Sequence, residues 1–321
     1  MKSFLKIFSI AFVCFVVAIG AGLWAFSKFY NPSTDVVVSD EGKKESMSIV
    51  DSNKELETEA KSELEKLIEN SKRKNMLLLG MEGARTDTIM FASFDPESKN
   101  LDLVSIPRDT YYSRKGHSAA DKKKINAVYG DEGTDGTIRA ISDVLEGVPI
   151  DYYVKITYSG VERIVNSLGG VNVNIPIDMD YDDPYAEPPL HIHLKKGEQV
   201  LDGKHALQFL RFRKSNNGGG YPDGDLGRIK AQQQFMKASL GKVLSFKLPV
   251  VANTVIKYVK TNMDLSDIGV MAKNAIGMTK GNLKTYSLPG KSTTQNHASY
   301  FLHDQDAVEN LMKEIYRSGK E

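Results

Sequence analysis

Short apolar runs separated by polar turns dominate the pattern from residue 75 onward. Residues 88–94 and 101–106 carry the β-branched and aromatic side chains typical of strands, and Asp95-Pro96 begins a polar reversal between them. This pattern predicts a β-hairpin. The unbroken apolar run at 75–80, which ends in glycine, predicts a buried central strand immediately before the hairpin.

Strand-like and helix-like patterns alternate in the rest of the chain. The predicted strands cover 151–156, 171–177 and 283–288, and the predicted helices cover 134–145, 159–168, 225–245, 250–259, 266–278 and 304–316. A further helix, capped by Asp202, leads into Arg211-Phe212-Arg213, where extended backbone would place both arginines on one face and Phe212 in the core. Strands that alternate with helices indicate an α/β sandwich.

The N-terminal segment has the composition of a membrane anchor. Residues 7–26 contain no charge, and about twenty helical residues span a hydrocarbon layer of roughly 30 Å. Because Lys2 and Lys6 precede this segment, we expect residues 1–6 in the cytoplasm, a transmembrane anchor at 7–29 and the later residues outside the cytoplasm. A cleaved signal peptide is the alternative, since residues 18–22 are small; it gives the rest of the chain the same location.

A polar spacer is predicted at 30–74, between the anchor and the first strand. The segment is rich in Ser, Asp, Glu and Lys. Apolar residues recur at helical spacing from Leu56 to Ile68, so its second half is predicted to form a narrow amphipathic helix with a solvated charged face. We expect this spacer to set the distance from the membrane.

Charged residues mark both ends of the predicted hairpin. Arg85 and Asp87 precede its first strand, Arg108 and Asp109 follow its second, and Glu82 follows the buried strand. Antiparallel pairing brings these ends together. Arginine forks match phosphate oxygens, and carboxylates hold the magnesium that accompanies phosphates. A solvated ion-pair network at a strand end is the equally weighted alternative.

Other polar positions extend this basic region. Lys124 opens a helical stretch, and a helix start is a favoured anion site. Arg211 and Arg213 form a second basic focus. Farther on, Asp225 caps a predicted helix on which Arg228 and Gln232, four residues apart, share a face. This stripe suggests a continuous surface for phosphate and sugar, with plain capping as the alternative for Asp225.

Acidic and histidine-rich stretches between 178 and 193 suggest metal binding only weakly. Residues 178–189 predict a proline-rich surface loop without the spacing and glycine of a calcium loop. His191 and His193 alternate on a predicted strand and face one side. Because the sequence shows no pattern for the third and fourth ligands of a zinc site, we interpret both as surface histidines.

Composition excludes several classes. The single cysteine, Cys14, allows neither an internal disulfide nor a cysteine-based metal site. A formal net charge of +1 over 321 residues lacks the basic excess of a nucleic-acid-binding protein. The chain is long enough for one large domain or two small ones.

In combination, five motifs resemble the LytR-CpsA-Psr family of membrane-anchored bacterial envelope proteins. They are Arg85-Thr-Asp87-Thr, Ser105-Ile-Pro-Arg108-Asp109-Thr, Lys124-Ile-Asn126, Arg211-Phe-Arg213, and Asp225-Leu-Gly-Arg228 followed by Gln232-Gln233. The resemblance implies a catalytic domain at 75–321 with its motif core at 75–245, built on a mixed β-sheet sandwiched by helices.

The activity implied is transfer of a phosphate-linked glycopolymer, such as teichoic acid or capsule, from a polyprenyl-pyrophosphate carrier to peptidoglycan. Polyprenyl phosphate is released, and Mg²⁺ or Mn²⁺ is bound at the pyrophosphate. The partners implied are this lipid-linked glycan, peptidoglycan and the cytoplasmic membrane. A hydrolase of the same carrier, a glycan-binding module and an envelope sensor or transcriptional attenuator are the alternatives.

The resemblance also implies roles for individual residues. The implied metal ligands are Asp87 and Glu82, and the implied catalytic residues are Asp87, Arg108, Asp109 and Arg211. The implied substrate-binding residues are Arg85, Arg108, Lys124, Asn126, Arg211, Arg213, Asp225, Arg228 and Gln232. Asp109 and Asp87 are both candidates for the base. The chain departs from the family pattern at Glu82, usually aspartate, and at Ala231, usually arginine.

Overall fold

The computed structural model describes residues 61–82, 85–185, 189–212, 214–221, 231, 234–235, 238–239, 242, 257–295 and 298–318. Its strands are β1 (Lys74–Glu82), β2 (Arg85–Phe94), β3 (Leu101–Ile106), β4 (Tyr152–Thr157), β5 (Val171–Ile175), β6 (Met179–Asp183), β7 (Leu190–Leu194), β8 (Gly197–Leu201), β9 (Val259–Thr261), β10 (Leu283–Ser287), β11 (Gly290–Gln295) and β12 (Ala298–His303). Its helices are α1 (Glu63–Glu69), α2 (Val128–Val144), α3 (Tyr158–Ser167), α4 (Gly203–Arg211), α5 (Leu265–Asn274) and α6 (Gln305–Arg317).

A six-stranded mixed sheet in the order β10-β3-β2-β1-β4-β9 forms the centre. β1, β3, β4 and β10 run in the same direction, whereas β2 and β9 run against their neighbours. The carboxyl ends of the four parallel strands therefore meet the start of β2 along one side, here called the carboxyl edge. The predicted hairpin is confirmed as β2 and β3, and the predicted mixed α/β class is confirmed with it.

Alternate residues of β1 enter two separate hydrophobic cores. Met76 and Leu78 pack on one face of the sheet, and Leu77 and Leu79 pack on the other; all four are fully buried. A strand buried on both faces needs an unbroken apolar run, which is the pattern at 75–80. The sheet is thus enclosed between two helical layers, as the sandwich prediction requires.

The acidic stretch after β5 differs from its prediction. It forms β6, which pairs antiparallel with β7, instead of a loop over 178–189. Met179 is buried and Tyr181 half-buried, while Asp180 and Asp182, which alternate with them, are exposed. This alternation is that of a half-buried strand, and the aspartates and prolines of the segment conceal it in the sequence.

Two predicted helices, at 225–245 and 250–259, lie only partly within the described residues. Ala231, Phe235 and Ser239 are helical within 225–245, and most of the rest lies outside the described residues. The prediction of a helix reaching residue 259 is wrong at its end, because Val259 begins β9 and pairs with Ile156. Its β-branched side chain suits an edge strand beside β4.

The predicted cytoplasmic segment at 1–6, the anchor at 7–29 and the spacer up to residue 60 lie outside the described residues. Within residues 61–318, as far as they are described, no helix has the length and apolar character needed to cross a bilayer. The amphipathic helix predicted in the second half of the spacer is present at its C-terminal end as α1. Ser62 caps α1 through a capping box and Leu64 is buried, so α1 belongs to the folded domain.

A buried ion pair closes the sheet at the side opposite the carboxyl edge. Arg73 Nη1 lies 2.8 Å from Asp102 Oδ2, and both side chains are at most 2% exposed. Arg73 also donates to Ser93 and, through Nη2, to Ser318 Oγ at 3.0 Å. Burial raises the pKa of Asp102, and the Arg73 charge opposes this shift. The pair ties β2 and β3 to the C-terminal end of α6.

A second charged cluster holds the segment between β3 and α2. Arg114 contacts Asp131 and Glu132 at 2.8 Å each, and Lys122 Nζ lies 2.5 Å from Asp131 Oδ1. Hydrogen bonds from Lys122 and then Arg114 lower the pKa of Asp131 to about 2. Lys124 lies two residues after Lys122, so this cluster also sets the position of the Lys124 backbone.

We expect Asp102→Ala to lower the free energy of unfolding by about 3–5 kcal/mol, because the Arg73 charge would remain buried without its carboxylate. Urea-induced unfolding, followed by circular dichroism, measures the loss. Glu97→Ala is the matched control: its pair with Lys72 is exposed, so its loss should be under about 1 kcal/mol. Equal losses in the two variants would contradict the assigned importance of the buried pair.

We expect Asp131→Asn to destabilise the protein most at neutral pH. The folded pKa of about 2 lies below the ordinary value of 3.8, so the stabilisation is present above about pH 4 and is lost as the pH falls towards 2. Urea midpoints of wild type and variant should therefore converge on acidification. Asp135→Asn, an exposed position on the same helix, is the control; a difference independent of pH would refute this linkage.

Candidate active site

The antiparallel pairing of β1 with β2 places three of the predicted residues at the carboxyl edge. Glu82 pairs with Arg85, Met81 with Thr86 and Gly80 with Thr88. Asp87 is therefore the extra residue of a β-bulge, without an opposite residue on β1. A bulge bends its strand, and bulges are frequent beside active sites. The backbone thus brings Glu82, Arg85 and Asp87 to one rim, as predicted.

Arg85 extends from this rim towards the segment after β3. Its Nη2 lies 3.6 Å from Asp121 Oδ2, and both side chains are about three-fifths exposed. An exposed pair of this kind contributes little to stability. The contact therefore indicates where the guanidinium lies, which is between the β2 start and the segment that leads to Lys124.

Arg108 and Asp109 follow β3 at the same edge. Ile106 pairs with Ile89, so the chain leaves β3 close to the start of β2. A turn follows, in which Thr110 donates from its N–H and its hydroxyl to the Pro107 carbonyl. The carbonyl of Arg108 in turn accepts from the N–H of Asn126 at 3.2 Å. These bonds fix the backbone of both charged residues, and Arg108 and Asp109 are half-buried.

Lys124 joins this group through its side chain. Its Nζ lies 3.0 Å from Asp109 Oδ1, each side chain is 22% exposed, and the ammonium lies 5.9 Å from the centre of the Tyr300 ring. Asn126, two residues on, is buried. The Lys124 charge compensates that of Asp109, so this carboxylate acts first as a positioning partner for the lysine.

Arg211 reaches the carboxyl edge from another element. Tyr158 directly follows β4, whose last residue Thr157 lies beside Met81 of β1. The guanidinium carbon of Arg211 sits 4.7 Å from the centre of the Tyr158 ring. This cation–π contact holds the guanidinium beside Tyr158, close to the end of β1. The position of Tyr158 immediately after a strand is the sequence signal that it lies at the edge.

The backbone at Arg211 differs from its prediction. Arg211 is the last residue of α4, and the extended backbone begins only at Phe212, which is fully buried as expected. α4 starts against α3 at Gly203, where a Cβ would lie 2.2 Å from the Glu162 carbonyl oxygen. Only glycine permits this approach, and the close packing of the two helices brings Arg211 over Tyr158.

Some predicted site residues lie outside the described residues: Arg213, Asp225, Arg228 and Gln232. Of the neighbouring positions, Ala231 is helical and buried in the core. At this departure from the family pattern the chain therefore packs a methyl group into the core.

The donor chemistry at the carboxyl edge suits a phosphate and a hard divalent cation. Arg85, Arg108, Lys124 and Arg211 bring cations there from four elements. Glu82 and Asp87 are carboxylate residues placed by adjacent strand ends, and Mg²⁺ takes oxygen ligands of this kind. The cations match the oxygens of a phosphate or pyrophosphate. Such an edge can bind and polarise a phosphate ester.

Comparison with known proteins identifies the family of this chain. Residues 41–317 match the model of the LytR_cpsA_psr family. The polyisoprenyl-teichoic acid–peptidoglycan teichoic acid transferase TagV of Bacillus subtilis (strain 168) is 30% identical over 270 residues, covering 79% of this chain and 67% of TagV. TagU of the same organism, named as the same kind of transferase, is 30% identical over 253 residues, covering 76% of this chain and 77% of TagU.

The fold comparison extends this result. The crystal structure of B. subtilis TagV superposes with a TM-score of 0.62 at 27% identity and covers 78% of this chain and 97% of that one. The family model spans most of the chain, including every element of the carboxyl edge described above. The chain belongs to the LytR-CpsA-Psr family.

Proposed function

We propose that this protein is a phosphotransferase that attaches a glycopolymer of the teichoic acid class to peptidoglycan. Its relatives TagV and TagU bear the name of teichoic acid transferases acting between a polyisoprenyl carrier and peptidoglycan. The observation that carries the proposal is the convergence of Arg108, Lys124 and Arg211 on the edge where the bulge places Asp87. A polyprenyl-pyrophosphate-linked glycan is the donor that such a site fits.

The reaction is a phosphoryl transfer. A hydroxyl oxygen of peptidoglycan, on muramic acid, forms a bond to the sugar-linked phosphorus, while the bond from that phosphorus to the bridging oxygen breaks. Polyprenyl phosphate leaves with the bridging electron pair, and the hydroxyl proton passes to a carboxylate at the edge. Negative charge grows on the bridging and non-bridging oxygens, and fixed cations stabilise it.

The proposed roles of three cations rest on their contacts in the structure. Tyr158 holds the Arg211 guanidinium at the edge, where its fork suits two parallel hydrogen bonds to one phosphate. Asp109 positions the Lys124 ammonium at 3.0 Å. Arg108 leaves the turn after β3 with its backbone held by Asn126. Because these contacts form before substrate arrives, little reorganisation is needed during the reaction.

Magnesium completes the proposed site. Asp87 and Glu82 would hold the ion, or Mn²⁺ in its place, and when bound it would neutralise charge on the pyrophosphate oxygens. The support is the donor set and its placement at adjacent strand ends. Glu82 stands where the family usually has aspartate, so one proposed metal ligand has a side chain that is longer by one methylene group.

The proposed location follows from the substrate. A polyprenyl carrier resides in the membrane, so the N-terminal segment 7–29, as a single-pass anchor with its amino end inside, would keep the domain beside its donor. The acceptor, peptidoglycan, lies on the outer side of the same membrane. The polarity of the anchor and the location of both substrates are therefore consistent.

We expect Arg108→Ala and Arg211→Ala each to reduce transfer by about 10²-fold or more, because each removes a donor aimed at developing charge. The measurement is covalent attachment of glycan from a polyprenyl-pyrophosphate donor to nascent peptidoglycan by the full-length protein in detergent. Arg139→Ala is the control, since that arginine is exposed and pairs only weakly with Glu132 at 3.4 Å. Wild-type rates in the Arg108 and Arg211 variants would reject the assignment.

The same assay separates transfer from hydrolysis. Attachment to peptidoglycan supports the transferase. Release of phosphate-ended glycan at the same rate whether or not peptidoglycan is present would replace it with a hydrolase, and binding without either product would leave a glycan-binding protein.

We expect chelation of divalent cations to abolish transfer and added Mg²⁺ to restore it. Asp87→Asn should raise the Mg²⁺ concentration that gives half-maximal activity, because it removes one carboxylate from the ion. The measurement is a Mg²⁺ titration of the transfer rate, with Asp135→Asn as an exposed control on α2. Unchanged activity in excess chelator would refute the metal requirement.

A further inference from the structure

The β6–β7 hairpin presents two histidines and two aspartates on one exposed face. In its antiparallel register Asp180 pairs with His193, and Asp182 pairs with His191. All four residues are solvent-exposed, whereas Met179 and Ile192 face the core. Directly opposed side chains on one face lie within reach of each other. The two strands therefore supply the third ligand that the His191-Ile192-His193 sequence lacks by itself.

Distances within this group match a metal site. Ligand atoms of Asp182, His191 and His193 all lie within 4.8 Å of one another. His193 Nε2 is 3.4 Å from Asp182 Oδ1, and His191 Nδ1 is 2.5 Å from the same oxygen. Ligands about 2.0–2.1 Å from a tetrahedral zinc ion are separated by about 3.4 Å. The His193–Asp182 distance has this value, and the His191–Asp182 distance would lengthen by about 0.9 Å on metal binding.

Asp180 supplies an independent indication. Its Oδ1 lies 2.7 Å from His193 Nδ1, on the side of the ring opposite the Nε2 that faces Asp182. Metal-binding histidines commonly donate their second ring N–H to a carboxylate, which fixes the tautomer and makes the ligating nitrogen more basic. Asp180 and His193 have this arrangement.

The donor set selects the type of metal. Two imidazoles with a carboxylate suit zinc and similar transition metals, whereas Mg²⁺ and Ca²⁺ prefer oxygen ligands alone. Two aspartates also balance the charge of a divalent cation. Among the described residues, this is the one group of three such side chains with mutually close ligand atoms. His205 and Asp202 form a comparable exposed pair at 2.7 Å that lacks a third ligand.

We propose that Asp182, His191 and His193 form a Zn²⁺ site on the β6–β7 hairpin, with Asp180 orienting His193 and one coordination position open to water. The site is distinct from the proposed magnesium site, because it lies on a separate two-stranded sheet.

The hairpin is connected to elements of the carboxyl edge. Asn216 accepts from the N–H of Asp182 at 2.6 Å and donates to its carbonyl at 3.0 Å, and so ties β6 to the loop at 214–221. The N–H of His193 donates to Gln208 Oε1 at 3.3 Å, and Gln208 lies one turn before Arg211 on α4. Bound metal would therefore make the hairpin more rigid, and through Gln208 it would help to hold α4 and Arg211 in place.

The test is Zn²⁺ binding to the full-length protein in detergent, after chelator treatment and in the presence of excess Mg²⁺. We expect one saturable Zn²⁺ per chain with micromolar affinity. His193→Asn and Asp182→Asn should each weaken binding by more than about tenfold, and Asp180→Asn by about 10-fold or more through loss of its hold on His193. Co²⁺ in the site should give a tetrahedral visible spectrum that is absent in His193→Asn.

His205→Asn is the matched control and should bind Zn²⁺ as wild type does. Circular dichroism of each metal-free variant confirms that it folds, which these exposed positions permit. Absence of saturable Zn²⁺ binding, or equal binding by wild type and His193→Asn, would overturn the proposal. Because the readout is binding and not glycan transfer, the result is independent of the proposed enzymatic function.

Discussion

Pairing between β1 and β2 is the constraint on which the rest of this structure depends. β1 is buried on both faces, so each of its neighbours must match it in register before either core can close. The register holds from Lys74 to Gly80 and then shifts, which leaves Asp87 as a bulge at the carboxyl edge. Every other charged group of the candidate site is placed relative to that edge.

The charged groups at the two opposite sides of the sheet differ in burial. The buried pair stabilises the fold, and the partly exposed pairs lie at the candidate site. Arg73 and Asp102 are almost fully buried and bonded to each other, an arrangement that resists any change of partner. At the carboxyl edge, Asp109 and Lys124 keep partial exposure, and Arg85 contacts Asp121 at the longer distance of 3.6 Å. The edge therefore contains the ion pairs of one interpretation of the hairpin charges, and the binding of an anionic ligand by these cations stays a prediction.

Local patterns were sufficient to predict the central strands and the convergence of the hairpin ends. The apolar run at 75–80 and the hairpin at 88–106 specify β1, β2 and β3 because both faces of these strands are buried, which leaves little choice of residue. The same patterns could not predict the bulge at Asp87, since it arises from a mismatch between two strands. The Asp109–Lys124 pair and the stacking of Arg211 on Tyr158 also depend on tertiary packing, including the close approach at Gly203.

The β6–β7 hairpin, in contrast, is an element that the sequence pattern did not predict. Aspartates and prolines favour loops, so composition concealed a strand whose apolar residues are only Met179 and Tyr181 on the inner face. Recognising that strand changes the chemistry, because Asp180 and Asp182 then face His193 and His191 across the ladder. Ligands that are unrelated in sequence become a set only through strand register. The same principle produces the carboxyl edge, where Arg85, Asp87 and Arg108 from separate motifs meet because β2 begins and β3 ends at the same side of one sheet.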